Sequence, residues 1–275
     1  MQKDNRIKVI IAAHKEYPMP ADPMYLPLHV GAEGKTNEKG EALDFGYEKD
    51  NSGDNISCLN ASFCELTGLY WAWKNLDADY IGLAHYRRHF SGKKKSRDPF
   101  ENILTGKEAE HYFSQYKVLL PKKRCYYIET LYTHYKHTHY IEHMDTTRDI
   151  IAEKYPEYTE CFDKVMKQTS GYMFNMMIMP KELMDDYCSW LFSILFELKE
   201  RMYMPELSAF QGRFYGRVSE IIFNVWLQYQ FETGRLKPEE IKELPCIYME
   251  KIDWKRKIVS FLKAKFLHQK YDSSF

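Results

Sequence analysis

Short β-branched runs alternate with amphipathic stretches along most of this chain, the pattern of an α/β protein. Residues 7–13 (Ile-Lys-Val-Ile-Ile-Ala-Ala) read as a buried first strand that opens through His14 and Lys15 into a Pro- and Met-rich loop. Residues 31–56, rich in Gly, Asn, Asp, Glu and Lys, have little hydrophobic period and predict a long surface loop. From a cap at Asn55 or Ser57, the positions Leu59, Phe63, Leu66, Tyr70 and Trp73 recur at helical steps and predict one amphipathic helix to about Asn75. The apolar run that follows predicts a second buried strand over 80–85. A strand, loop, helix, strand succession suits a parallel sheet, where ligands sit at the carboxyl ends of the strands. His14 and His85 both fall at such ends.

Further strands are predicted at 116–120 and 172–179, and residues 131–154 are helical by composition up to the Tyr155-Pro156 break. After Pro180, Leu183, Tyr187, Trp190, Leu191, Ile194 and Leu198 give a long helix a broad core face. Another helix is predicted from about Arg217, with Ser219 and Glu220 in its first turn, to near Gly234. With no internal repeat and no linker, residues 1–250 read as one domain and 251–275 as a basic amphipathic tail. In that tail Trp254, Ile258, Phe261, Leu262 and Phe266 fall on one side of a helix, with Arg256, Lys257, Lys263 and Lys270 largely outside the arc and Lys255 and Lys265 interrupting it. Such a helix either packs on the domain or rests peripherally on the anionic inner face of a membrane.

Composition narrows the classes. A chain of 275 residues with 44% hydrophobic and 16% aromatic content has ample material for a core. Lys plus Arg balance Asp plus Glu at 39 each, so no overall field recruits nucleic acid. Six scattered cysteines without a CxxC pair read as reduced thiols of a cytoplasmic protein. No apolar segment approaches the roughly 18 residues of a membrane span.

The strongest chemical signal is His85-Tyr86-Arg87-Arg88-His89-Phe90. Two adjacent guanidiniums and two imidazoles at the mouth of a buried strand suit an anionic ligand better than a core, and a phosphate-bearing substrate fits. If 87 and 88 continue the strand, alternation sends the two arginines to opposite faces, with one on phosphate and the other on an internal carboxylate. Asp77-Ala78-Asp79, the nearest Asp-X-Asp pattern, precedes the strand and reads as a solvated turn. His134, His137, His139 and His143 form the densest histidine cluster; His139 and His143 could face one another on a helix as half a zinc site, but no third ligand stands out. A histidine-based metallohydrolase would need one.

Several stretches resemble one bacterial family, the domain long of unknown function found in capsular and exopolysaccharide synthesis proteins and linked to galactofuranosyl transfer. They are Ile10-Ile11-Ala12-Ala13-His14-Lys15, Leu59-Asn60, Glu65-Leu66-Thr67-Gly68-Leu69-Tyr70-Trp71-Ala72-Trp73-Lys74-Asn75, His85-Tyr86-Arg87-Arg88, Phe174-Asn175-Met176, Tyr187-Cys188-Ser189-Trp190-Leu191-Phe192 and Arg217-Val218-Ser219-Glu220. The resemblance implies an α/β, GT-A-like fold, a single Rossmann-related sandwich with a helical C-terminal extension. It implies a hexosyltransferase that moves a sugar, galactofuranose by association, from a UDP-sugar to a growing surface polysaccharide or lipid-linked glycan; of the two anomeric outcomes, inversion is preferred to retention. His14, Asn60, His85, Tyr86, Arg87 and Arg88 are then the donor-binding candidates and Glu220 the candidate base, ahead of Asp145 and Asp185. Forked arginine contacts to diphosphate can replace part of a metal's work, so a divalent metal is compatible with the sequence but not required by it. The reading from another class is a non-catalytic glycan or nucleotide-sugar binding module of a polysaccharide assembly complex.

Overall fold

A computed structural model describes residues 6–202, 207–250, 253, 259–261, 263–265 and 270–271. The strands in chain order are β1 (Ile7–Ala13), β2 (Tyr25–His29), β3 (Glu48–Lys49), β4 (Tyr80–His85), β5 (Arg88–Phe90), β6 (Val118–Pro121), β7 (Arg124–Cys125), β8 (Ser170–Gly171), β9 (Met177–Pro180), β10 (Ile241–Leu244) and β11 (Cys246–Tyr248). The α-helices are α1 (Asn60–Phe63), α2 (Leu66–Asn75), α3 (Gly106–Phe113), α4 (Leu131–Thr138), α5 (Glu142–Lys154), α6 (Thr159–Met166), α7 (Lys181–Arg201) and α8 (Phe214–Glu232). The chain divides into two compact units: Met1–Lys122 with Phe174–Cys188 and Lys237–Met249, and Lys123–Met173 with Ser189–Leu236 and Glu250–Phe275. The division falls inside the 1–250 stretch read as one domain.

The first unit is built on a mixed sheet of order β10-β6-β9-β4-β1-β2-β3, with β5 paired to β4 and β11 to β5. β1 runs parallel to both β2 and β4, whereas β9 is antiparallel to β4 and β6. Val9, Ile10 and Ile11 are wholly buried, as a continuous β-branched run should be when both faces of a parallel strand are covered. The Pro-rich stretch after His14 contains β2, which its proline disguised. Pro27 is tolerated because β3 pairs only with Leu28 and His29, so that edge requires no donor from it.

The helix expected over 57–75 is broken. A 3₁₀ turn at Ser57–Leu59 leads into α1, Cys64 adopts φ 55°, and α2 restarts at Leu66. The left-handed residue shifts the helical phase, so the buried face of α2 is Leu66, Thr67, Gly68, Leu69, Trp71 and Ala72, while Tyr70 and Trp73 are only half-buried. Gly68 lies where the helix meets the sheet; a Cβ there would stand 2.8 Å from Val30 Cγ1 and 3.1 Å from Leu28 Cδ2. The strand expected over 172–179 is shortened to β9 because Phe174 and Asn175 have φ 80° and 53°.

In the second unit residues 131–154 form two helices, separated where His139 is extended (φ −136°, ψ −173°). Thr130 caps α4, its side chain accepting from Thr133 N. The 3₁₀ turn Pro156–Tyr158 leading into α6 packs on α8, where the rings of Tyr158 and Tyr229 stack at 3.9 Å. α8 begins at Phe214, earlier than expected, and ends before Gly234 at φ 71°. Of the tail, residues 259–261 and 263–265 are helical; Ala264 is fully buried and Lys263 exposed. Trp254, Lys255, Arg256, Lys257, Ile258, Leu262 and Phe266 lie outside the described residues. Among the described residues no helix is long and apolar enough to cross a membrane.

Candidate functional site

The basic stretch after β4 is a hairpin turn. His85 pairs with Arg88 across β4 and β5, leaving Tyr86 and Arg87 as the two turn residues. The turn is tied on both sides, with Tyr86 N–H donating to Ala12 O at 3.4 Å and Met249 N–H donating to Arg87 O at 3.0 Å. Alternation along a strand therefore does not govern the two arginines: Arg87 is in the turn and Arg88 opens β5. Buried Tyr86 is the hub of the end of β1 and β4. The His14 ring stands edge-on to it at 5.3 Å, Tyr17 lies at 5.0 Å, and Lys15 Nζ and Arg87 Cζ approach its face at 5.4 Å each.

Arg88 has different surroundings. Its Cζ lies 3.7 Å from the centre of the Phe174 ring and 5.1 Å from that of Tyr248. Its Nε is buried without an acceptor, and no described carboxylate pairs with the guanidinium. A half-buried guanidinium fork with no counter-charge among the described residues can donate to two oxygens of a phosphate or carboxylate. The Cys246 thiol nearby is pushed up to about 11 by burial against the opposing pull of Arg88, and so stays protonated.

His85 supplies a neutral donor beside this cation. Burial, then Arg87, Arg88 and His14, depress its pKa to about 3, so the ring is uncharged near neutrality. Its Nδ1 accepts from Arg87 N–H at 3.2 Å, which places the ring proton on Nε2. Burial likewise lowers His89 to about 4 against the opposing effect of the Tyr86 backbone, and its ring is fully buried.

Of the other donor candidates, His14 is exposed at the end of β1. Asn60 turns inward: its Nδ2 donates to Cys64 O at 2.8 Å and to Thr67 Oγ1 at 3.1 Å, and its amide packs on Gly31. Only glycine fits at 31, where φ is 69° and a Cβ would lie 2.5 Å from Asn60 Oδ1. The same corner is fastened by fully buried Asp50, which accepts from Gly31 N, Ala32 N, Ser57 Oγ and Thr67 Oγ1. Asp77 forms a two-pronged exposed ion pair with Arg6 at 2.7 and 2.9 Å, and Asp79 accepts from Arg6 N. Both aspartates precede β4, at the end away from His85.

Glu220 and the histidine cluster belong to the second unit. Because α8 starts at Phe214, Glu220 lies nearly two turns inside it and Ser219 is fully buried, so neither caps the helix. The true start has no side-chain cap hydrogen bond, and Gly216 just beyond it interrupts the helical signal. The Glu220 charge adds to burial in raising the Tyr126 hydroxyl pKa. His134 and His137 each direct Nδ1 at the buried Glu129 carboxylate, at 2.8 and 2.7 Å. His139 Nδ1 faces Gln211 Oε1 and His143 Nδ1 faces the Tyr135 hydroxyl, so the pair spaced by four does not converge. Among the described residues no three His, Cys, Asp or Glu side chains are grouped to hold a metal ion.

The sequence thus pointed to His14, His85, Tyr86, Arg87 and Arg88, which the fold gathers at one end of β1 and β4. Tyr17 and Tyr248 join them without having left a signal in the sequence. Phe174 also joins them, and its stretch had been singled out only by resemblance.

The profile of a family described as domain of unknown function DUF4422 matches residues 8–231. A solved structure described as the WbbM bifunctional glycosyltransferase in its apo form is similar at TM-score 0.80 and 31% identity, over 90% of this chain and 46% of that one. The chain therefore spans less than half the length of that protein. No curated protein matches. The mixed α/β, parallel-rich architecture is GT-A-like, as this similarity and the sheet topology together show.

Proposed function

The chain belongs to the DUF4422 family, and on that premise we propose that it is a glycosyltransferase using a UDP-linked sugar. The observation that carries this reading is Arg88: a charged fork that no described carboxylate pairs with, at the carboxyl end of β4, between aromatic rings. Similarity to a protein described as a bifunctional glycosyltransferase supports it.

Transfer breaks the bond between the anomeric carbon and the diphosphate oxygen as an acceptor hydroxyl oxygen attacks. Charge builds on the leaving diphosphate, and fixed cations aimed at it lower the barrier. Arg88 and Arg87 take that role, His85 Nε2–H adds a neutral donor, Lys15 extends the positive rim, and the exposed His14 stands beside it as a further polar contact. Glu220 is proposed to take the acceptor proton, giving inversion. Galactofuranose is the leading donor sugar and a bacterial surface polysaccharide or lipid-linked glycan the acceptor. The same reading has the enzyme working in the cytoplasm, with the tail over 251–275 contacting the inner membrane face; co-sedimentation with anionic liposomes, with and without that tail, tests this contact.

The decisive experiment is a thermal-shift screen of nucleotide sugars followed by donor hydrolysis and transfer assays. A ligand that binds only the native state raises the unfolding temperature by mass action. A UDP-sugar that stabilises the protein and is turned over supports the enzyme. Stabilisation without hydrolysis or transfer would favour the non-catalytic binding module.

A further inference from the structure

Two of the stretches that carry the family resemblance, one around Glu65 and one around Phe174, lie far apart in sequence and meet at a hydrogen bond. Asn175 is buried, and its Nδ2 donates to Glu65 Oε1 at 2.8 Å. The residue before it, Phe174, has φ 80°, and Asn175 itself has φ 53°. Asparagine tolerates the left-handed region, but a bulky aromatic residue there is a genuine outlier that persists only where its surroundings impose it. The outcome of this backbone is specific: the Phe174 ring lies 3.7 Å beneath the Arg88 guanidinium, the cation whose Nε has no acceptor.

The other end of the hydrogen bond is held as firmly. Glu65 follows Cys64, the left-handed break between α1 and α2, and Asn60 Nδ2 fixes that break by donating to Cys64 O at 2.8 Å. Beyond Asn175 the chain enters β9, where Met177 pairs with Leu83 of β4. A route therefore runs from Asn60 through the Cys64 break to Glu65, across to Asn175, and through Phe174 to Arg88.

We infer that Glu65 and Asn175 form a positioning pair that holds Phe174 in its left-handed conformation under Arg88, and so aims the guanidinium at the phosphate of the nucleotide. The inference rests on the proposed function, since it takes Arg88 as the phosphate-binding group. It also gives Asn60 a supporting place in the site instead of a direct ligand contact. A merely structural tie between the α1–α2 junction and β9 would affect stability and leave nucleotide affinity untouched.

Calorimetric titration with UDP of Glu65→Ala, Glu65→Gln, Arg88→Ala and the double variant Glu65→Ala/Arg88→Ala separates these cases. Glu65→Ala is expected to weaken UDP at least tenfold, while Glu65→Gln, whose amide oxygen still accepts from Asn175, stays within threefold of the parent. In the double variant the loss should not exceed that of Arg88→Ala alone, because Glu65 acts only through Arg88. Phe174→Leu, which removes the ring and leaves the Glu65–Asn175 bond, is expected to reproduce the Glu65→Ala loss and stands in for it should that variant not fold. Unchanged affinity in both Glu65→Ala and Phe174→Leu, or a Glu65→Ala loss that simply adds to that of Arg88→Ala, would overturn the inference while leaving the functional reading in place. If Arg88→Ala itself binds UDP as the parent does, the functional reading fails and the inference goes with it.

Discussion

Replacing Arg88 by alanine should separate binding from stability. The guanidinium stacks on Phe174 at 3.7 Å, a contact worth ~0.5–2 kcal/mol that the folded protein would lose. Against this, the substitution removes a buried Nε that has no acceptor, an unmet donor costing ~1–3 kcal/mol. It also relieves the positive field that Arg88 shares with Arg87 around His85. These contributions are of similar size and opposite sign, so the ligand-free protein should unfold within about 1 kcal/mol of the parent. UDP binding should respond quite differently. Losing a charge-assisted hydrogen bond costs ~1.5–3 kcal/mol, roughly a 10- to 150-fold weaker dissociation constant. Arg88→Lys keeps the charge without the planar fork and should fall between the two. Denaturant unfolding of the free proteins beside isothermal titration with UDP provides both readings. A variant that loses stability yet binds UDP normally would show that Arg88 is a core group, and the phosphate assignment would be wrong.

Three further outcomes are expected. Glu220→Gln should keep UDP-sugar binding and lose transfer, because the amide keeps the shape and cannot take a proton; equal loss of affinity and stability would give Glu220 a packing role. Gly68→Ala should destabilise the fold by about 1 kcal/mol in urea unfolding, since ~1–3 kcal/mol of overpacking against Val30, Leu28 and Ile10 exceeds the ~1 kcal/mol gained in helix propensity, and a stabilised variant would contradict the packing described. His89 has a folded pKa of about 4, below its ordinary value of 6.5, so unfolding takes up a proton between those limits. The stability it contributes is present above pH 6.5 and lost as the pH falls towards 4, on the order of 3 kcal/mol in all, and His89→Phe should flatten that dependence; an unaltered slope in the variant would mean that His89 is not the group protonated.

What could be read in the sequence was what depends on local period. β1 and β4 are continuous β-branched or apolar runs whose pattern survives any tertiary context, and the ends of such runs located His14 and His85. β2 escaped because Pro27 argues against a strand, and only the brevity of its neighbour β3 makes it harmless. The helix over 57–75 failed at one residue: a left-handed Cys64 rotates everything after it, and this conformation is fixed by Asn60 and its neighbours instead of by any property of cysteine. α8 was entered late because Phe214, Tyr215 and Gly216 carry neither a cap nor a period, and that displacement removed the helix-start rationale for Glu220.

The basic hairpin shows where sequence reasoning reaches its physical limit. Arg87 and Arg88 are visible as charges, and the cost of burying charge already implied an anionic partner. What bears on the choice between a ligand and an internal carboxylate is that, among the described residues, no hydrogen-bond partner reaches Arg88 Nε, together with the rings that frame the guanidinium. Both are properties of the assembled sheet. Tyr248 reaches Arg88 only because β11 pairs with β5 in a register that sets the two residues opposite each other. Phe174 does so from a left-handed backbone beside Asn175, whose amide donates to Glu65 across 110 residues of sequence. Neither contact leaves a local pattern, for each depends on register and strain between distant segments. The charged residues of the site are therefore legible one at a time, whereas the geometry that frames Arg88 between aromatic rings is a product of the fold.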